Sequence, residues 1–203
     1  MAESTGGYAG AGGAGSARRA ARPVVVVAMR VEAVAVGGRP VVVGMGAERA
    51  ALSGALLSDG LAPDETVVVA GVCGGLDPGL ASGTVVLAEA VCRADGEQRR
   101  LPPQPQLGRA LAASGLAVVE RTVVSAERVV RGAARRELAR VGSVVDMESA
   151  ALVEALGGHR VAVVRVVADT PETGMVRGGL VALRVLRRVG RVLGGWRPPA
   201  NGG

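Results

Sequence analysis

The 203-residue chain has no Phe and no Lys, a single His, two Cys, and only Tyr8 and Trp196 as aromatic residues, one near each end. Each scarcity removes a class of function. One lone imidazole, His159, cannot build a histidine-based metal site, and Cys73 and Cys92 match no metal-binding or redox spacing. Neither a metal nor a cofactor is expected, and a reduced, cytoplasmic compartment fits the cysteine usage. The formal charge of +6 could suggest nucleic acid, but the basic residues are dispersed, with no aromatics between them to stack on bases. Apolar runs are broken by charge or glycine well short of the roughly 20 residues that span a bilayer. All 24 basic residues are Arg, and with 32 Gly and many Ala and Val this reads as a genome-wide composition bias. Single Val-for-Ile or Arg-for-Lys choices therefore carry little meaning.

What remains is 49% hydrophobic and 21% charged, enough for one domain with a sizeable core and short for two. Residues 1–22 are rich in Gly, Ala and Ser without the apolar run of a signal peptide, and read as a disordered leader. The domain is expected over 23–196, followed by a flexible tail at 197–203. Strands are predicted at Pro23–Met29, Val41–Gly46, Thr66–Ala70, Thr84–Cys92, Ala117–Val124 and Val161–Val167. Helices are predicted at Glu48–Leu57, Leu107–Ser114, from an Asp146 cap through Leu156, and at Gly178–Leu193. Residues 93–105 read as a polar, proline-rich surface excursion, and Arg128–Arg140 has too few large apolar groups for assignment. This alternation is an α/β order.

Three acidic residues stand where α/β folds place chemistry. Glu32 lies just past the first strand, where a carboxylate can accept a proton from water or simply favour a helix start. Asp169 follows the apolar strand 161–167; shielded from water it can hold a proton to donate, or it can cap a turn through Thr170-Pro171. Glu148 enters a small, apolar helix and could accept two hydrogen bonds from a vicinal diol, or serve as helix-start charge. Gly44-Met45-Gly46 and Gly71-Val72-Cys73-Gly74-Gly75 allow close backbone approach to a ligand or a plain turn, and neither is a dinucleotide or Walker motif.

Taken in order, Ala28-Met29-Arg30-Val31-Glu32, Gly44-Met45-Gly46, Ala70 through Pro78, Val145-Asp146-Met147-Glu148-Ser149-Ala150 and Arg165-Val166-Val167-Ala168-Asp169 resemble the nucleoside phosphorylase/nucleosidase superfamily over roughly residues 23–193. The chain looks most like its methylthioadenosine/S-adenosylhomocysteine nucleosidases and the hopanoid-associated phosphorylases near them. The resemblance implies a single three-layer α/β/α domain with a central mixed sheet, a small-molecule nucleoside substrate, and a homo-oligomer such as a dimer. It also implies N-glycosidic cleavage with Glu32 as general base for water, Asp169 as the acid that protonates purine N7, and Glu148 as acceptor for the ribose diol. Met147 would lie against the sugar, Gly71, Val72, Cys73 and Gly74 would line the sugar and base pocket, and Val145 and Val129 would bound the base.

The departures shape the reading. Where phosphorylases of the bacterial purine type carry a phosphate-binding Arg and a hydroxyl, this chain has Val69 and Val72, so water is favoured over phosphate unless Arg30 or Arg49 substitutes. The Ser that orients the family's catalytic Asp is Ala168, so another group must hold Asp169. The aromatic that stacks on the purine is Val129. An apolar pocket without that lid suits a large aliphatic 5′ substituent, of which adenosylhopane is an example. A phosphate-dependent purine or methylthioadenosine phosphorylase and a non-catalytic nucleoside-binding relative stay open as alternatives. The terminal helix places Ala182, Leu186, Val189 and Leu193 on one face and Arg184, Arg187, Arg188 and Arg191 on the other. It reads as a packed helix with a solvated basic side, or as a peripheral membrane contact through residues 180–193.

Overall fold

The structure is a computed structural model that describes residues 21–95, 97–170 and 175–199. The expected leader therefore falls almost wholly outside the described residues, as does the tail from 200 onward. Within them the chain runs β1 (Val24–Val27), α1 (Arg30–Val36), β2 (Val41–Val42), α2 (Ala47–Gly60), β3 (Thr66–Gly75), β4 (Val85–Arg93) and β5 (Gln98–Arg100). It continues with α3 (Pro105–Ala113), β6 (Val118–Ser125), α4 (Ala133–Leu138), β7 (Val144–Asp146), α5 (Ser149–Ala155), β8 (Arg160–Asp169) and α6 (Met175–Gly195).

The eight strands form one mixed sheet. β3 lies parallel to β1 on one side and to β8 on the other, and its last two residues turn to an antiparallel pairing with β7. β8 runs antiparallel to β4, β4 parallel to β6, and β6 parallel to β7, so these five strands close into a ring while β2 and β5 remain as edges. The closure puts the carboxyl ends of β3 and β8 beside the short β7.

Strand alternation sorts side chains to two cores. Val67, Val69, Val161, Val163 and Val167 face α2 and α5, where Ala50, Leu152 and Leu156 meet them. Val68, Ala70, Ala162, Val164 and Val166 face the other way, onto α1, α3 and α6 through Val36, Leu107, Leu186 and Val189. The result is a three-layer α/β/α domain. Trp196 joins the second core, Pro198 is buried after it, and Arg160 donates to the Pro199 carbonyl at 2.6 Å.

Four local expectations need correction. The strand read as Thr66–Ala70 continues through the glycines to Gly75, because β8 keeps pairing with it as far as Gly74. The polar excursion contains β5, hydrogen-bonded to β4. The unassigned Arg-rich stretch holds α4, none of whose residues is buried, which explains its lack of an apolar signature. Val144–Asp146 is a strand, and α5 starts at Ser149 with Glu148 rather than Asp146 at the N-cap. Asp146 still contributes there, since its Oδ1 accepts the Ser149 N–H at 3.3 Å.

Candidate active site

Glu32 is buried in the first turn of α1 and is held by three backbone donors. Ala28 N and Met29 N donate to Oε2 at 3.1 and 2.9 Å, and Val72 N donates to Oε1 at 2.8 Å. A carboxylate offers about four acceptor positions, so the remaining one lies on Oε1. The local cause is the strand-to-helix turn after β1: a Glu at the third helical position folds back on the N-cap amide, with Met29 as N-cap.

Next to it sits Arg165, 1% exposed in the middle of β8. Alternation along β8 points it to the α5 side, where Ser149 Oγ accepts from Nε at 3.1 Å and from Nη2 at 2.8 Å. Asp146 Oδ2 pairs with Nη2 at 2.6 Å, and Asp146 Oδ1 accepts from Ser125 Oγ at 2.6 Å. Burial works against the charged guanidinium, but Asp146, then Glu148 and Glu32, more than offset it and raise its pKa. Gly71 is its parallel partner on β3. A Cβ at Gly71 would overlap Arg165 Nη1 and come within 2.7 Å of Glu32 Oε1, so the position has to be glycine for the two side chains to meet.

Glu148 is buried, and its Oε1 accepts the Gly46 N–H at 2.9 Å, tying the start of α5 to the start of α2. Gly46 can present that amide because it sits at φ 91°, in the left-handed region open to glycine. Burial raises the Glu148 pKa, opposed by Arg165 and by the Gly46 N–H. Cys73, also buried, has its thiol pushed up by burial, which disfavours the thiolate.

Asp169 ends β8 and is half-buried. Arg135 of α4 donates from Nη1 to Asp169 Oδ2 at 2.6 Å, while its Nη2 donates to the Gly75 carbonyl. Asp169 Oδ1 lies over Gly74, where a Cβ would stand 3.1 Å from it. The group that holds Asp169 in place of the Ser replaced by Ala168 is thus a guanidinium from another element.

These elements enclose a cavity of about 240 Å³. Glu32, Val72, Cys73, Gly74, Val129, Val145, Met147, Glu148 and Asp169 all line it. Gly71 does not; it lies behind the wall, under Arg165. Met45 and Val129 are exposed at the rim, and Arg128, Arg131 and Arg135 also line the cavity. Arg30 and Arg49, the expected stand-ins for a phosphate-binding Arg, are exposed and take no part in it. Among the described residues no group of His, Cys, Asp or Glu is arranged to hold a metal ion.

Sequence reasoning missed Arg165, Ser149 and Arg135 as members of the site, while Asp146 stood out only within the acidic stretch before Glu148 and as a helix cap. Arg165 carried a signal, an arginine interrupting a run of interior apolar residues, which a buried strand tolerates only with a partner. Arg135 carried none.

A family model described as the phosphorylase superfamily matches residues 12–177, and the chain belongs to that superfamily. No curated protein matches the sequence. Among solved structures, the 5′-methylthioadenosine/S-adenosylhomocysteine nucleosidase of Campylobacter jejuni superimposes with a TM-score of 0.72 at 10% identity, over 85% of this chain and 97% of that one. Futalosine hydrolase of Helicobacter pylori gives 0.68 at 15% identity, over 84% and 96%. The methylthioadenosine/S-adenosylhomocysteine nucleosidase of Neisseria meningitidis, in complex with methylthio-immucillin-A, gives 0.67 at 19% identity, over 84% and 95%. At these identities the likeness is one of fold.

Proposed function

We propose that this member of the phosphorylase superfamily hydrolyses the N-glycosidic bond of a 5′-substituted adenosine and releases adenine. The observation that carries hydrolysis over phosphorolysis is the charge around Glu32. Three carboxylates, Glu32, Asp146 and Glu148, surround one guanidinium, Arg165, which is already paired with Asp146. A phosphate dianion is repelled from such a place, whereas a neutral water is accepted by the remaining position on Glu32 Oε1.

In this reading a proton taken from solvent by Asp169 Oδ1, while Oδ2 stays held by Arg135, passes to purine N7 as the bond from C1′ to N9 lengthens, so adenine leaves neutral. Glu148 keeps Oε2 for the ribose diol, since Oε1 is occupied by Gly46. Water adds to the oxocarbenium-like C1′ and gives its proton to Glu32, yielding the free sugar. Met147 lies against the sugar, Val72, Cys73 and Gly74 form the floor, and Val145 and Val129 bound the base. Gly71 serves by leaving room for Arg165.

The finer substrate is a nucleoside whose 5′ group is large and aliphatic, as in adenosylhopane. A cavity of about 240 Å³ cannot enclose such a group, and the exposed Met45 and Val129 at its rim give the group an apolar path outward. Self-association belongs to the same proposal, supported by Leu52 and Leu56, which leave 64% and 76% of their surfaces exposed on the outer side of α2.

A phosphate-dependent phosphorylase is the second reading, favoured by Arg128 and Arg131 in the cavity wall. Chromatography of free adenine, after incubation with methylthioadenosine, S-adenosylhomocysteine, adenosine and adenosylhopane with and without phosphate, separates the two. Release without phosphate is expected; release only with phosphate establishes the phosphorylase, and no release with any substrate leaves a nucleoside-binding relative.

A further inference from the structure

α6 turns Arg188 toward the end of α3, where it donates to the Ser114 carbonyl at 2.7 Å, and carries three other arginines as one strip. Arg184, Arg187 and Arg191 follow one another at helical spacing along the edge facing α1, while Ala182, Leu186, Val189 and Leu193 are buried against the sheet. α1 and α6 touch closely: at Gly190 a Cβ would overlap the Val36 carbonyl, so only glycine lets the two helices share one surface. Between them runs an open groove of about 1140 Å³, with Arg22 and Arg39 also in its lining.

Among the described residues none of these five arginines has an ion pair or hydrogen bond, and no Asp or Glu lines the groove. Side chains that are apolar and exposed stand among them: Val31, Leu180, and Val34 with 82% of its surface in solvent. Uncompensated positive charge around exposed aliphatic groups is complementary to a surface that is anionic outside and apolar just beneath. A nucleic acid meets only half of that description, and the face offers no aromatic ring for a base, since Trp196 is buried. No described helix is long and apolar enough to cross a membrane, so the contact is peripheral.

We propose that the α1/α6 face docks on a bilayer that carries anionic headgroups, with Arg22, Arg39, Arg184, Arg187 and Arg191 on the phosphates and Val31, Val34 and Leu180 pressed into the headgroup layer. Nothing in this depends on the reaction assigned to the cavity on the other side of Glu32.

The test is co-sedimentation of the full chain with vesicles of phosphatidylcholine alone and of an equal mixture of phosphatidylcholine and phosphatidylglycerol. The chain is expected to pellet with the mixture at low salt, to be released at high salt, and to stay in solution with phosphatidylcholine alone. Each arginine neutralised should weaken binding about fivefold, so Arg184→Gln with Arg187→Gln and Arg191→Gln together should weaken it about a hundredfold. These side chains are exposed and make no ion pair or hydrogen bond among the described residues, so thermal melts of the variant should match the parent chain. Val34→Asp with Leu180→Asp should weaken vesicle binding as well. Absence of pelleting with the mixture, equal pelleting with both vesicles, or indifference to the arginine variant overturns the proposal. Full binding by the Val34→Asp, Leu180→Asp variant, together with equal affinity for duplex RNA, overturns it in favour of a nucleic-acid surface.

Discussion

Arg135 and Asp169 meet across the mouth of the cavity, Nη1 to Oδ2 at 2.6 Å, joining an exposed-faced helix to the end of an interior strand. Because the bond occupies Oδ2, the free Oδ1 is left over Gly74 in the cavity wall. Arg135 is a positioning residue in this account. Arg135→Ala should lower kcat by about ten- to a hundredfold with little change in KM, the scale on which a misplaced catalytic group costs rate. Arg135→Lys should recover part of the loss. Steady-state kinetics of adenine release on both variants checks this, and an Arg135→Ala enzyme with full kcat removes the role.

Arg165 and Asp146 form the buried ion pair beneath the site. Arg165→Met leaves Asp146 buried without its cation and should cost about 3–5 kcal/mol of stability. Adding Asp146→Leu should restore most of that stability but not turnover, since the charge beside Glu32 is still gone. Urea unfolding of both variants, alongside an activity assay, separates the two effects.

Gly71→Ala places a methyl where Arg165 Nη1 lies and close to Glu32. Neither neighbour can withdraw, because Arg165 is fastened by Asp146 and Ser149 and Glu32 by three amides. The expected cost is about 1–3 kcal/mol from overpacking, with turnover largely lost. Gly158→Ala is a suitable control, since Gly158 is exposed, does not line the cavity, and an added Cβ there meets nothing within 4 Å. A Gly71→Ala chain with unchanged melting temperature and rate would contradict the packing described.

Glu148 has its pKa raised by burial, which gives its pH dependence a definite sign. Between the ordinary carboxylate value and the raised one, the folded chain holds a proton that the unfolded chain has lost. Stability therefore falls as pH rises through that window. Diol binding runs the other way, because only the ionised carboxylate accepts both hydroxyls. KM for the nucleoside should fall over the same window as pH increases. Glu148→Gln should abolish this limb, raise KM by about ten- to a hundredfold, and flatten the stability profile; measuring KM and melting temperature against pH for both proteins tests all three.

Much of the fold was legible because alternation and interruption are local signals. The valine-rich strands, the glycine after α5 and the amphipathic α6 each announce themselves within a dozen residues. The carboxylates Glu32, Glu148 and Asp169 were legible for a related reason, since each sits at a strand or helix boundary where an acidic side chain is conspicuous. The strand character of Gly71–Gly75 was hidden because its cause is the neighbour β8, and glycine alone signals a turn. β7 and α4 were hidden because one is three residues long and the other buries nothing.

The α/β order, the apolar character of the central strands and the acidic residues at the strand ends follow from periodicity and from residue type at a boundary, both of which are local. That Gly71 makes room for Arg165, that Asp146 neutralises it, and that Arg135 takes up the place left by Ala168 beside Asp169 came from the folded arrangement alone. These contacts join residues 19 to 94 positions apart in the chain, and their partners are chosen by sheet register and helix placement, which no local pattern records.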